Sequence, residues 1–210
     1  ATMADPINTT SLTPTTIALP ADINGVALGS LTSIAISGDL MAVAVPAAVK
    51  TDNGFVLFYN GLDSSAPAFL DSVEVGALPD MVTFTPDGGK VLVANEGEPS
   101  DDYTVDPEGS VSVINILASG EPEETGTTVG FSALNGSEAD LMAQGMMFPN
   151  PAGRTINGTA ITSSVAKDLE PEYITATNDV AYISLQENNG LAILDLEELT
   201  IDVVGLGTKT

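Results

Sequence analysis

The stretch from Val82 to Ile116, VTFTPDGGKVLVANEGEPSDDYTVDPEGSVSVINI, constrains the fold more than any other part of this chain. It reads as strand, tight turn, strand, acidic loop, strand. Val82 and Phe84 alternate with Thr83 and Thr85. Pro86-Asp87-Gly88-Gly89 then supplies turn chemistry: proline fixes φ, aspartate bonds its own backbone, and glycine tolerates positive φ. Val91-Leu92-Val93 and Val111-Ser112-Val113-Ile114 are short apolar strands. The unit is antiparallel, and two more like it follow the same plan. Small sheets repeated around an axis are how β-propellers are built. Three such units are too few to close a ring.

The first unit runs from Ser33 through Leu40–Val45 to Phe55–Tyr59, and the third from Tyr173 through Val180–Leu185 to Leu191–Leu196. In each, a turn of Gly, Asp or Asn separates two apolar strands, and a loop and a third strand follow. A fourth, outer strand is expected at Ala68 to Val75 and at Ile201 to Val204. The expected architecture is all-β, a partial propeller of about three antiparallel blades, at residues 33–75, 81–116 and 173–204 of a unit spanning 31–210. The first two units start about 40–50 residues apart, as blades do. The third stands further off, so the sequence predicts a long, partly helical insertion at 117–167, with Ser137 capping a short helix that stops at Gly145. Residues 1–30 read as an extended lead-in with one strand at Ile17-Ala18-Leu19.

Charge excludes several function classes. Five basic residues stand against 29 acidic ones, and there is no histidine. Nucleic acid needs Lys and Arg to displace its counterions, so it is not an expected partner. An anionic membrane surface is excluded by the same reasoning. The surface field should gather cations. No run of 18 or more apolar residues exists to span a membrane. Without His or Cys there is no Ser-His or Cys-His nucleophile, and zinc is disfavoured.

Three runs carry a family resemblance: Val75 to Ile114, Lys167 to Ile174 (KDLEPEYI), and Ile183 to Leu196 (ISLQENNGLAILDL). Together with FSALNGSEADLMAQG at Phe131 to Gly145, they closely resemble the bacterial choice-of-anchor I family. The resemblance implies a secreted or surface-attached β-propeller protein, extracellular or on the cell surface. Some members of that family are described as alkaline phosphatases or phytase-like esterases. Members are usually far longer than this chain. The resemblance therefore implies partners in the form of remaining propeller blades or another subunit, meeting the edges of the first and third units.

What remains for chemistry is oxygen donors. The loop after Asn95 carries Glu96, Glu98, Asp101, Asp102, Asp106 and Glu108. Hard cations such as Ca²⁺ take six to eight oxygens from carboxylates, carbonyls and water, so this loop is the candidate metal site. The spacing is not that of an EF-hand, and a solvated acidic surface would look the same. A second set is expected on one rim: Asp80 before the inner strand of the second unit, Asp168, Glu170 and Glu172 before that of the third, and Glu187-Asn188 in a loop placed like Asn95-Glu96. Repeated units put such loops on one face, where Glu96 and Glu187 would lie near the axis. Arg154 and Lys167 are cations that could neutralise a rim carboxylate. Two function classes follow: a calcium-stabilised binding or scaffold propeller, and a calcium-dependent phosphoesterase in which bound metal would draw in phosphate and activate water. No catalytic residue is assigned.

Overall fold

The computed structural model describes residues 16–62, 67–149 and 153–208. In chain order the strands are β1 (Asp22–Ile23), β2 (Val26–Ala27), β3 (Ser33–Ser37), β4 (Leu40–Val45), β5 (Asn53–Asn60), β6 (Ala68–Ala77), β7 (Pro79–Phe84), β8 (Lys90–Asn95), β9 (Ser110–Asn115) and β10 (Thr127–Gly130). Helix α1 (Glu138–Ala143), β11 (Thr155–Ile156), β12 (Thr159–Ala160) and α2 (Val165–Asp168) precede β13 (Pro171–Ala176), β14 (Val180–Leu185), β15 (Gly190–Asp195) and β16 (Ile201–Gly205).

Three four-stranded sheets, β3 to β6, β7 to β10 and β13 to β16, are each antiparallel and ordered as the chain runs. Each opens with a hairpin built by local chemistry. Gly38 takes φ 59° in the first. In the second, Asp87 Oδ1 accepts from Thr85 Oγ1 at 2.7 Å and from Gly89 N at 2.9 Å. In the third, Thr177 Oγ1 accepts from the backbone N–H of Asp179 and Val180. The registers coincide: Ile34 faces Val43, Val82 faces Val93, and Ile174 faces Ile183. Val43, Val93 and Ile183 are thus equivalent positions in equivalent strands.

The sheets stack face to face, with β7 packed against β3 on one side and β13 on the other. This is a partial β-propeller with β3, β7 and β13 innermost. Ala42, Ala44, Val56 and Phe58 of the first blade bury against Val82, Val91, Val93 and Ile114 of the second. Leu92, Ala94, Val111 and Val113 bury in turn against Ile174, Ala181, Ile183 and Leu194 of the third. Burial on both faces explains why β4 and β8 are almost wholly apolar, as strands covered on two sides are. β14 alternates buried with more exposed residues, because one of its faces is open.

Three expectations need correction. The outer strand of the second blade, β10, lies inside the span 117–167 read as insertion, and Thr127–Gly130 pairs with Ser110–Val113. Only Val129 of that strand is buried, so it carries too little apolar pattern to be seen. Ile17-Ala18-Leu19 forms no strand. The hairpin lies later, where Asn24 and Gly25 take φ 53° and 85° and join β1 to β2, as an Asn-Gly turn favours. Ile17 and Leu19 instead pack with Ile23, Val26 and Leu28 over Met41, Val43, Phe55 and Leu57 of the first blade. Within the insertion, α1 starts after Ser137 as expected, although the Ser137 hydroxyl donates to Leu134 O and does not cap the helix. It ends in a Schellman motif, with Met146 N bonded to Leu141 O, Gly145 N to Met142 O, and Gly145 at φ 94°. Among the described residues, no helix is long and apolar enough to cross a membrane.

Candidate functional site

Two inner strands begin with the same device. Pro79 faces Asn95 and Met81 faces Ala94, so Asp80 is the extra residue of a bulge in β7. Pro171 faces Leu185 and Ile174 faces Ile183, which places Glu172 in the corresponding irregularity of β13. Bulges re-aim side chains at the rims of barrels and beside active sites. Here a Pro-acid pair is used twice, so Asp80 and Glu172 hold equivalent places. Both residues lie inside their strands, which start earlier than Met81 and Tyr173, the starts the sequence suggested.

The acidic loop joins them. Glu96 N donates to Leu78 O at 2.9 Å and Gly97 N to Ala77 O at 3.1 Å, which pins the loop to the link between the first and second blades. Gly97 is required there: it takes φ +72°, and a Cβ would stand 2.8 Å from Gly109 N. From this base Glu96 meets the fields of Glu98, Asp80, Glu170 and Glu172. Its carboxyl is pushed up to about 8, first by burial and then by those neighbours. Glu170 rises to about 7, through burial and then Glu187, Glu98, Asp168 and Asp106. Glu172 also rises to about 7, through burial and a hydrogen bond with Glu187 that requires a proton between the two. Burial, then Glu98, raises Asp80 as well. Glu170 and Glu172 are only 9% and 7% exposed, an unusual position for glutamates.

The acids of the expected metal loop differ in their partners. Glu98 is held by Lys50 Nζ at 2.7 Å. Asp106 lies 3.8 Å from Lys167 Nζ, and burial raises its carboxyl despite that cation. Asp102 is engaged in its own turn: Oδ1 accepts from Ser100 Oγ, Thr104 N and Thr104 Oγ1, which hold the carboxyl below its ordinary range. Asp101 and Glu108 are exposed. The two asparagines are structural. Asn95 is fully buried, and its Nδ2 donates to Ser110 Oγ at 3.1 Å and Ser112 Oγ at 2.9 Å. Asn188 Nδ2 donates to Asp168 O at 2.6 Å and Met147 O at 3.0 Å, while Oδ1 accepts from Glu170 N at 3.3 Å, so it sets the backbone that carries Glu170. Asp168 accepts from Ser163 Oγ at 2.9 Å. Arg154 is exposed and donates from Nη1 to Pro149 O.

Glu187 reaches the rim through Glu172 and Glu170. By register Glu96 matches Gln186, and Glu187 is the next residue of the equivalent loop. Lys50 was missed. It lies in the 46–52 loop of the first blade, which corresponds to the loops that bear Glu96 and Glu187, and that equivalence was the available signal. A cleft of about 220 Å³ lies beside the cluster, lined by Lys50, Glu98, Ser100, Asp101, Tyr103 and Glu170. Among the described residues, no three carboxylates are already drawn together as metal ligands. The donor set is nevertheless all oxygen, as a hard cation requires. A cation entering here would replace the protons these groups hold.

Fold and rim together define a propeller segment with a crowded acidic axial end. The model of the choice-of-anchor I domain matches residues 2–210, and the chain belongs to that family. No curated protein matches it. Among solved structures, a functionally unknown protein from Desulfotomaculum acetoxidans is 14% identical, with 84% of this chain and 42% of that one covered and a TM-score of 0.48. The periplasmic gluconolactonase of Pseudomonas aeruginosa is 16% identical over 84% of this chain and 58% of that one, with a TM-score of 0.41. The chain thus spans about half the length of these two proteins. Likenesses of this strength carry no activity across.

Proposed function

We propose that this chain is a binding and scaffold module of a secreted or cell-surface propeller protein, stabilised by calcium at its axial rim. The family name supports the location. The observation that carries the reading is the convergence of Asp80, Glu96, Glu170 and Glu172 from the starts of two inner strands and one loop. Like charges this close raise one another's pKa unless a cation intervenes. Lys50 and Lys167 reach Glu98 and Asp106, and with 29 acids against five bases in the chain an added cation would have carboxylates left to bind. Carboxylates attract Ca²⁺ or Mg²⁺, and calcium suits this rim better, because its coordination tolerates irregular geometry.

The test is a set of thermal melts in calcium, in magnesium and in a chelator, at equal ionic strength and pH 8. Calcium should raise the melting temperature above that in magnesium, and matched sodium should not. Coincident curves would reduce the rim to a solvated acidic surface. Hydrolysis of p-nitrophenyl phosphate in calcium and not in chelator would instead favour a metal-dependent phosphoesterase.

A further inference from the structure

Two hollows adjoin between the first and second blades. The cleft of about 220 Å³ beside the acidic cluster shares Lys50, Ser100 and Asp101 with a wider depression of about 560 Å³, which is lined also by Ala48, Val49, Thr51 and Asp102. The 46–52 loop forms one wall and the tip of the acidic loop the other. The hollows differ in chemistry. Glu98, Asp101 and Glu170 make the cleft acidic, with Tyr103 beside them. The depression offers apolar surface, since Ala48 and Val49 are exposed, Val49 to 58%.

Glu170 points to a ligand. It is 9% exposed, and none of the hydrogen bonds or ion pairs among the described residues uses its carboxylate. The charges that act on it most strongly are other carboxylates, those of Glu187, Glu98, Asp168 and Asp106. A buried carboxylate calls for a cation or a donor, and the cleft gives one access. One ammonium already uses this field. Lys50 Nζ reaches Glu98 at 2.7 Å, and Asp101 and Glu96 attract it as well. The side chains of that pair are 38% and 40% exposed, and exposed ion pairs are weak. Lys50 is therefore a tethered ammonium that a free one can displace. Tyr103 stands on the cleft wall with φ 56°, a costly conformation for a bulky residue. Aromatic faces attract ammonium groups.

We propose that this groove binds an alkylammonium group, its charged head among Glu98, Asp101 and Glu170 and its alkyl chain along Ala48 and Val49. A hard metal ion takes oxygen donors and gains nothing from Val49 or Tyr103, whereas an amine with an apolar chain uses both. A free alkylamine and a lysine side chain share this chemistry. The site does not rest on calcium at the axial rim, because of Asp80, Glu96, Glu170 and Glu172 it uses only Glu170.

The test is isothermal titration of the chain in chelator, at pH 8 and fixed ionic strength, with n-pentylammonium, methylammonium and Nα-acetyl-lysine N-methylamide. Pentylammonium should bind about tenfold more tightly than methylammonium, because its further methylenes leave water. Glu170→Gln should weaken pentylammonium about tenfold or more, through the lost charged hydrogen bond. This variant should still fold, since it removes a repelled charge. Lys50→Met should tighten binding about twofold to fivefold by removing the competing ammonium. Glu121→Gln removes an equal charge at an exposed position beyond the other end of β9 and should change nothing. Tighter binding of the lysine derivative than of pentylammonium would make the natural source a lysyl side chain, and the reverse a free amine. Three outcomes overturn the proposal: pentylammonium no tighter than methylammonium, equal weakening by Glu170→Gln and Glu121→Gln, or no change with Lys50→Met. Each would leave only diffuse attraction to a chain of net charge −24. Failure of the calcium reading shows separately, as thermal melts indifferent to calcium while pentylammonium still binds.

Discussion

Asp80 and Glu172 occupy the same place in consecutive blades, each behind a proline and each carried on the irregularity where its inner strand slips against the next. The repeat that builds the core therefore also builds the acidic rim. A propeller that stacks blades about an axis brings equivalent residues toward one another. An acid at this position in successive blades must meet another acid. Glu96 lies where both fields reach it.

Protons hold this rim together when no cation is present, and that fixes a pH dependence. Glu96 titrates near 4.5 when free and near 8 in the fold. Between those values the folded chain binds protons that the unfolded chain has released, so stability falls as pH rises. Glu170 and Glu172, raised to about 7, act in the same direction. Calorimetry without divalent ions should give a higher melting temperature at pH 5 than at pH 8.5. Glu96→Gln should flatten the slope and raise the melting temperature at pH 8.5. A wild-type melting temperature that rises over this interval would refute the buried, mutually repelling rim.

Calcium should act through the rim and not through the exposed part of the loop. At a hundred times Kd a ligand specific to the native state adds about 2.7 kcal/mol, or roughly 5–10 °C for a chain of this size. Asp101→Asn with Asp102→Asn should leave most of that shift in place, because Asp102 is spent on Ser100 and Thr104 and Asp101 is exposed. Glu170→Gln with Glu172→Gln should remove most of it. Isothermal titration of both double variants with calcium decides the matter, and the reverse result would move the site out to the loop tip.

Much of this was legible in the sequence, for physical reasons that can be named. The alternation at Val82–Phe84, the Pro-Asp-Gly-Gly turn and the apolar runs of β4 and β8 are local signals, and they placed the strands correctly. Asp80, Glu170 and Glu172 could be proposed as one rim from the sequence because they stand at the beginnings of inner strands in a repeat. The outer strand Thr127–Gly130 was hidden, since its pairing with Ser110–Val113 stabilises it more than its own residues do. The division of the acidic loop was hidden as well. Whether Asp102 faces the axis or its own turn depends on Ser100 and Thr104 hydroxyls, and charge counting gives that no weight. Lys50 was passed over because nothing local distinguishes it from a solvated lysine.

Gly109 is predicted to be intolerant of any side chain. It closes the acidic loop onto β9 and donates its N–H to Ala166 O at 3.0 Å. A Cβ there would collide with the carbonyl oxygen of Leu169 and stand 2.8 Å from Pro171 Cδ. Neither neighbour is a flexible side-chain end, so backbone must move, and Glu170 lies between the two. Gly109→Ala should cost at least about 1–3 kcal/mol, the usual range for overpacking, and should weaken the calcium response. Gly130→Ala, where a Cβ meets nothing within 4 Å, is the matched control and should leave both unchanged.

Equivalent isoleucines should answer differently to the same truncation. Ile34 and Ile174 hold the same register position, opposite Val43 and Ile183. Ile174 is 6% exposed, packed between the second and third blades, whereas Ile34 is 51% exposed on the inner strand that the lead-in leaves uncovered. Ile174→Ala should therefore cost about 2–5 kcal/mol, the transfer loss plus an unfilled cavity. Ile34→Ala should cost less than about 1 kcal/mol, since half of its surface already meets water. Urea titration of both variants measures the difference, and an unchanged denaturant slope would confirm that the effect lies in stability and not in the compactness of either state. Equal costs would mean that Ile34 is covered in solution, and that the end of the stack beside the lead-in is closed as well.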